Sequence, residues 1–335
     1  MIKKILTLAM SLCLVASLAA CSSEKPENKE PENNGITVED QAGRTITLDK
    51  PAEKVISGYY ISTSTIIGLG QENKLVGVEM KADKRDIYKM AAPEILELPE
   101  MGNKKSFNVE AAAETKADLV ILPVSLKDYV DKIEALGMKV ILLNPETKED
   151  YDEAVNLIAK VIGAEDQAKE YFAYRDELFN NYIKDIENEK NVYFAGTDIL
   201  SGAGTDMYQD DLLEEAEAEN VMDETGTGWS TIDKETLLRV NPDVIFLEQD
   251  GVTADSVYQD ASLVNVNAVK NKQVYVFPSL LETWDTPNLS SCLGTLWAYA
   301  TLYPEQLSMD KVKQEAKDFY QKFYDIQVEN QDLGL

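Results

Sequence analysis

Short runs of β-branched apolar residues alternate along this chain with longer stretches of helical periodicity. From Ile36 to Leu48 apolar and polar positions alternate around a turn at Ala42 and Gly43, which predicts a β-hairpin. Lys54 to Gly58 then reads as a short buried strand, and Ile61 to Leu69 as a helix closed by Gly70. Further on, Asn108 to Lys116 predicts a helix and Ala117 to Leu122 a strand stopped by Pro123. Ser125 to Leu136 predicts a helix stopped by Gly137, and Lys139 to Leu143 a strand before Pro145.

The same order returns in the second half. Asn191 to Ala195 predicts a strand, Asp233 to Val240 a helix, Asp243 to Leu247 a strand, Ala254 to Val269 a helical stretch and Gln273 to Phe277 a strand. Apolar runs this short between helices predict strands covered on both faces of a parallel sheet. The expected fold class is therefore α/β, with two similar α/β lobes and a ligand cleft between them.

Tyr151 to Ile162 and then Asp166 to Glu189 join the halves. The second stretch places Ala168, Tyr171, Phe172, Leu178, Phe179, Tyr182, Ile183 and Ile186 at helical spacing, with no Pro or Gly. At ~1.5 Å per residue it predicts a long bridging helix of about 35 Å, a strut able to span both lobes.

Ahead of all this, Lys3 and Lys4 precede an apolar run from Ile5 to Val15 and small residues leading to Leu18-Ala19-Ala20-Cys21. The run is shorter than the ~20 residues a bilayer crossing needs, so it reads as an export signal. The expected divisions are a signal peptide over 1–20, a flexible polar tether over 21–35, an N-terminal lobe over 36–146, a linker with the bridging helix over 147–190 and a C-terminal lobe over 191–335.

Composition narrows the chemistry. The 335 residues carry 32 Lys and Arg against 60 Asp and Glu, a formal charge of −28, so nucleic acid is not an expected partner. Without Lys3 and Lys4 the balance is 30 basic to 60 acidic. There is no histidine, which removes Ser-His-Asp and Cys-His catalysis and His-ligated zinc. Once Cys13 leaves with the signal, only Cys21 and Cys292 remain, and with Cys21 at the cleavage site no internal disulfide or thiolate cluster is expected. Asp210, Asp211, Glu214, Glu215, Glu217 and Glu219 lack the spacing and central Gly of a calcium loop and read as a solvated helix face, so no metal is assigned. Gly202-Ala-Gly204 and Gly226-Thr-Gly228 lack the third glycine of a dinucleotide fingerprint, and no cofactor is expected.

Several weak motifs occur in a telling order: a Cys after a small-residue cleavage site, Ile-Thr-Val-x-Asp-x-x-Gly-Arg from Ile36, Pro-x-x-Lys-Val-Ile-Ser from Pro51, paired Asp-Leu-Val and Asp-Val-Ile strands, and a bridging helix. Together, over roughly residues 36 to 325, they resemble the substrate-binding lipoproteins of ABC importers for ferric siderophores, haem and cobalamin. The resemblance implies an extracytoplasmic binding protein, not an enzyme, held to the cell membrane by a lipid on Cys21. It implies delivery of an iron chelate (siderophore or haem) or a corrinoid to an ABC permease and its ATPase. In the family an acidic residue on each lobe docks on the permease, and Asp128 and Asp255 occupy comparable places.

Ligands of such proteins sit between the lobes, on loops at the carboxyl ends of the strands. The ligand-binding candidates there are Tyr59, Tyr60 and Ser62 after the first strand, Lys104, Lys105 and Phe107 before a helix, Trp229, and Glu282, Trp284 and Asp285 after the last strand. For each, packing of the loop onto the core or plain solvation is the alternative. Without histidine, haem would depend on Tyr59 or Tyr60 for an axial ligand. Of the four arginines, Arg44 and Arg175 fall in the hairpin and the strut, which leaves a bidentate clamp on a strongly anionic ligand poorly supplied. An oxyanion of the molybdate type, held by Lys104, Lys105 and backbone donors, is the alternative ligand. Two other classes stand as rivals: a cell-surface carboxylate-dependent hydrolase using Glu282 and Asp285, and a lipid-tethered scaffold.

Overall fold

The computed structural model describes residues 35–222, 227–249 and 251–335. The expected signal over 1–20, the tether up to residue 34, Cys21 and Gly226 lie outside the described residues.

The hairpin forms as its alternation requires, from β1 (Ile36–Glu39) and β2 (Thr45–Leu48), with Val38 paired to Ile46 on the buried side. The chain then runs through β3 (Val55–Ser57), α1 (Tyr60–Gly68), β4 (Leu75–Gly77) and α2 (Asp86–Ala91). A small hairpin, β5 (Gly102–Asn103) with β6 (Ser106–Phe107), leads to α3 (Val109–Thr115), β7 (Leu119–Pro123), α4 (Val130–Glu134) and β8 (Lys139–Leu143). The helix expected over Ser125 to Leu136 is split, with a tight 3-10 turn over Val124–Tyr129 ahead of α4. Among the described residues β4-β3-β7-β8 form one parallel sheet.

Two helices follow, α5 (Lys148–Ile162) and α6 (Glu165–Tyr182). Thr147 and Asp150 close a reciprocal capping box at the start of α5, and Gly163, at φ 72°, ends it in the left-handed region that favours glycine. The helix expected to reach Glu189 stops at Tyr182, because Ile183 turns to an extended ψ of 130°. Its 18 residues span about 27 Å, shorter than the strut the spacing predicts.

The second half contains β9 (Lys190–Ala195), β10 (Ser201–Ala203), α7 (Tyr208–Glu215), β11 (Ala218–Asn220), β12 (Trp229–Thr231), α8 (Lys234–Val240) and β13 (Val244–Leu247). It closes with α9 (Ala254–Gln259), α10 (Asn267–Lys270), β14 (Val274–Val276), α11 (Ser291–Leu302) and α12 (Met309–Tyr324). The helical stretch expected over Ala254 to Val269 is thus broken between α9 and α10. Strands β9, β13 and β14 are parallel; β10 and β11 pair with opposite ends of β9, and β12 extends the sheet from β10.

Period-two alternation in the buried strands assigns each sheet two cores. Leu119, Ile121, Ile141 and Leu143 of the first sheet share one continuous cluster with Val192, Phe194, Val244 and Phe246 of the second. Their neighbours Val120, Leu122, Val140 and Leu142, and Tyr193, Ile245 and Leu247, fill separate outer clusters. Residues of α1, α5, α11 and α12 complete the shared cluster, so a helical layer, not a lone strut, joins the sheets. Helix α12 belongs to both halves, since Tyr324 near its end packs at Gly68 of α1.

The acidic stretch near α7 is only partly a solvated face: Glu214 and Glu219 are exposed, and Asp210, Asp211, Glu215 and Glu217 are half-buried. Asp211 accepts the Lys148 backbone N–H at 2.6 Å, Glu215 meets Lys148 Nζ at 2.8 Å, and Glu217 accepts the Ile186 N–H at 2.9 Å. These carboxylates pin α7 to the start of α5 and to the segment after α6. Burial raises the pKa of Glu215 above the ordinary value, opposed by Lys148.

Candidate ligand site

A cavity of about 390 Å³ lies where the carboxyl ends of both sheets meet. Tyr60 and Ser64 reach it from α1, directly after β3; Arg85 and Tyr88 from the α2 region, after β4; Gln249 from the end of β13; Glu282, Thr283 and Asn288 from the loop after β14. This is where parallel strands leave backbone groups and loop side chains facing outward.

The first-lobe wall is built on a buried carboxylate. Glu79 follows β4 on a segment held at both sides by backbone bonds, Val78 N–H to Pro99 O and Met80 N–H to Gly102 O. It is 5% exposed and accepts from Thr63 Oγ1 (2.6 Å), Tyr88 OH (3.1 Å) and Arg85 Nε (3.2 Å). The Arg85 guanidinium lies over the Tyr60 ring, 4.5 Å from its centroid, a cation–π arrangement. Its terminal amino groups make no hydrogen bond among the described residues. Desolvation, partly offset by Arg85, pushes the Tyr60 phenol up to about 12, so it stays neutral and can donate. Lys104 Nζ stands 5.5 Å from the same ring centroid and 5.2 Å from that of Tyr59.

The opposite wall carries Glu282. Its oxygens accept from Ser64 Oγ at 2.6 Å and Tyr324 OH at 2.9 Å. Burial raises its pKa, opposed by these hydroxyls and, more weakly, by Arg85. A backbone bond from Ile87 N–H to Leu281 O, 3.3 Å, ties α2 to the same loop. The site therefore pairs a cationic corner with a carboxylate wall, and suits a ligand with anionic groups on one side and hydrogen-bond donors on the other.

Of the residues expected from sequence, Tyr60 and Glu282 line the cavity, and Lys104 Nζ lies 5.5 Å from the Tyr60 ring centroid. The others have different surroundings. Tyr59 is 6% exposed and packs edge-on against Tyr60. Ser62 is buried, its hydroxyl donated to Tyr59 O and close to Ser57 Oγ. Phe107 is buried in the outer cluster of the first sheet, and Lys105 is exposed in the β5–β6 turn. Trp229 sits against Phe194 and over Gly196, where an added Cβ would meet its ring at 2.7 Å; it is a lid on the second sheet, not a cavity wall. Trp284 is fully buried, donating Nε1–H to Tyr320 OH at 3.0 Å, because the loop after β14 turns it into the shared core. Asp285 is also fully buried, with its backbone carbonyl accepting from Gln209, and is not among the residues that line the cavity. Asp128 and Asp255 are exposed, on the 3-10 turn after β7 and on α9 after β13.

Sequence reasoning passed over Arg85, Glu79 and Tyr88. The available signal was arginine scarcity: Arg44 pairs with Asp40 and Glu134, Arg175 pairs with Asp152 and Arg239 lies in the last turn of α8, so of the four Arg85 is the one that lines the cavity.

Comparison with known proteins places this geometry. A family model described as "Periplasmic binding protein" matches residues 55–281. The molybdate-binding protein MolA of Haemophilus influenzae is 26% identical, covering 86% of this chain and 90% of its own. The ABC transporter substrate-binding lipoprotein YvrC of Bacillus subtilis is 25% identical over 89% of this chain and 96% of its own, and the Fe(3+)-citrate-binding protein YfmC of the same organism 21% identical over 81% and 87%. A periplasmic solute-binding protein from Veillonella parvula has the same fold, with a TM-score of 0.75 at 23% identity over 90% of this chain and 97% of that one.

Proposed function

The chain belongs to the periplasmic binding protein family, and from that premise we propose that it is the solute-capturing component of an ABC importer, taking an anionic ferric chelate into the cavity between its sheets. The family is one of solute-binding proteins, not enzymes. The observation that carries the ligand class is Arg85, laid over Tyr60 on the cavity wall with its terminal amino groups making no hydrogen bond among the described residues.

Cavity size supports a chelate over a bare oxyanion, since about 390 Å³ falls in the range of sites that enclose a small organic molecule. The charged lining, with Arg85, Lys84, Asp86, Glu248 and Glu282, is ill matched to the apolar face of haem, and no histidine is available as axial ligand. YfmC, by its name, binds ferric citrate, which is the chemistry this wall suits. Molybdate is the second reading, supported by the likeness to MolA and by hydroxyls of Ser64, Thr283 and Thr286 around the cavity.

Titration with ferric citrate, molybdate, haemin and cyanocobalamin, read by tryptophan fluorescence and thermal shift, tests this. Saturable binding of ferric citrate, weakened about tenfold or more in Arg85→Ala, is expected. Binding of haemin alone, or no shift with any ligand together with glycosidase turnover, would sink it.

The reading extends to the membrane. Cleavage before Cys21 and lipid on its thiol would tether the protein outside the cell membrane, as the lipoprotein name of YvrC supports for that relative. No helix of the described residues is long and apolar enough to cross a membrane. Radiolabelled palmitate should enter the protein in cells and be lost in Cys21→Ala.

A further inference from the structure

We propose that Glu79 is a positioning residue for ligand capture: by engaging Nε of Arg85 from beneath the cavity wall, it holds the guanidinium over the Tyr60 ring and reserves the two terminal amino groups for an anionic group of the ligand. The inference rests on the reading of Arg85 as the anion contact.

An arginine can meet an anion side-on, through Nε and one terminal nitrogen, or end-on, through both terminal nitrogens. Here Nε donates to Glu79 Oε1 at 3.2 Å, so only the end-on fork is left. The carboxylate itself cannot swing away. Its Oε2 accepts from Thr63 on α1 and its Oε1 from Tyr88 on α2, and Tyr88 OH also lies 3.2 Å from Tyr60 O. Thr63 is in turn fixed at 2.7 Å from Ser57 Oγ, at the end of β3. Side chains from α1 and α2 thus converge on one buried carboxylate, with Ser57 of β3 behind Thr63, and the carboxylate holds Nε of one half-exposed guanidinium. The Glu79 and Arg85 side chains are 6% and 38% exposed, so the acid is the fixed partner and the base the one that meets ligand.

A guanidinium already held in its bound orientation loses less rotamer entropy on binding, which is the gain a supporting carboxylate supplies. It also explains a carboxylate beside an anion site, where charge alone would argue against one. Lysine at 85 would keep the charge, but its three donors radiate from one nitrogen and cannot reproduce a planar group anchored at Nε with two parallel donors facing the ligand.

The test is a double-mutant cycle on the full protein with ferric citrate and molybdate as probes, reading dissociation constants by calorimetry and folding by thermal melts. Arg85→Ala should weaken binding of the anion that wild type takes by about tenfold or more, and Glu79→Gln by about three- to tenfold. The double variant should bind no worse than Arg85→Ala, within about twofold, because Glu79 acts only through Arg85. A double variant that falls below Arg85→Ala by the whole Glu79→Gln factor, or a Glu79→Gln protein of wild-type affinity, overturns the proposal while leaving the Arg85 reading in place. Wild-type binding that Arg85→Ala does not weaken overturns both. Should Glu79→Gln fail to fold, Thr63→Val decides, because it removes the bond to Glu79 Oε2 without touching Arg85: a loss of affinity that vanishes in the Arg85→Ala background supports the proposal, and wild-type affinity refutes it.

Discussion

Ser64 Oγ, on α1, donates a 2.6 Å hydrogen bond to Oε2 of Glu282 on the loop after β14, so that one carboxylate joins the two halves of the molecule at the cavity. Tyr324 of α12 supplies its other oxygen with a 2.9 Å bond, and every donor to it in this pair of bonds is a neutral hydroxyl.

That arrangement fixes a pH dependence. Burial raises the Glu282 pKa in the folded protein above its unfolded value, so the folded state holds the proton more tightly. The stability linked to this proton is fully present below the unfolded value and is lost as pH rises through the folded one. Glu282→Gln, which does not titrate, should therefore gain thermal stability relative to wild type over a window that opens as pH rises above about 4.5. Melting curves of both proteins across that window check the sign; a difference that runs the other way would mean the hydroxyl bonds outweigh desolvation.

Trp284 should matter for folding and not for the ligand. Its indole is fully buried and its N–H is satisfied by Tyr320 OH at 3.0 Å. Trp284→Ala should cost about 3 to 5 kcal/mol by leaving a cavity. Tyr320→Phe, which strands the buried N–H, should cost about 1 to 3 kcal/mol. Urea midpoints measure both, and the affinity of the folded Tyr320→Phe protein should match wild type.

Why sequence pointed at Trp284 and missed Arg85 has a physical explanation. Local pattern dictates elements: the alternation at Ile36 to Leu48, the apolar runs of β7 and β13 and the Gly137 stop are all local, and the structure places elements there. Helix length failed where tertiary contacts decide, as at Ile183, where Glu217 and Tyr299 take the backbone N–H groups of the following residues. Loops at strand ends carry the site, and a loop pattern does not say which way a side chain turns. Trp284 and Asp285 turn inward while Glu282, two residues earlier, faces the cavity. Glu79 and Arg85 are recognisable only as a pair across a turn that no periodicity marks.

Arg175 is expected to hold the helical layer together. It pairs bidentately with Asp152 at 2.6 and 2.7 Å, joining α6 to α5, and its side chain is 11% exposed. Arg175→Met would leave Asp152 with only Lys148, 3.9 Å away, and should cost about 3 kcal/mol, the order found when one partner of a buried pair is removed. Arg175→Lys should recover little of it, because a point charge cannot reproduce the fork. Denaturant unfolding of the two variants is the measurement, and full recovery by lysine would show that charge, not geometry, holds the pair.

The expected docking residues are the last to test. Strand β7 neighbours β3 as β13 neighbours β9, so Asp128 and Asp255, each on the element that follows, hold corresponding exposed positions in the two halves. Neither makes an ion pair among the described residues, which leaves both carboxylates available to basic groups of a permease. If they dock there, Asp128→Lys and Asp255→Lys should each lower uptake in cells by about two- to fivefold, with a larger loss in the double variant, and the effect should shrink at higher ionic strength. Binding of the ligand by the purified variants should be unchanged, because both positions lie outside the cavity lining. Uptake at wild-type rate in the double variant would place the permease contact elsewhere on the surface, whereas lost uptake with lost ligand affinity would trace the defect to the cavity.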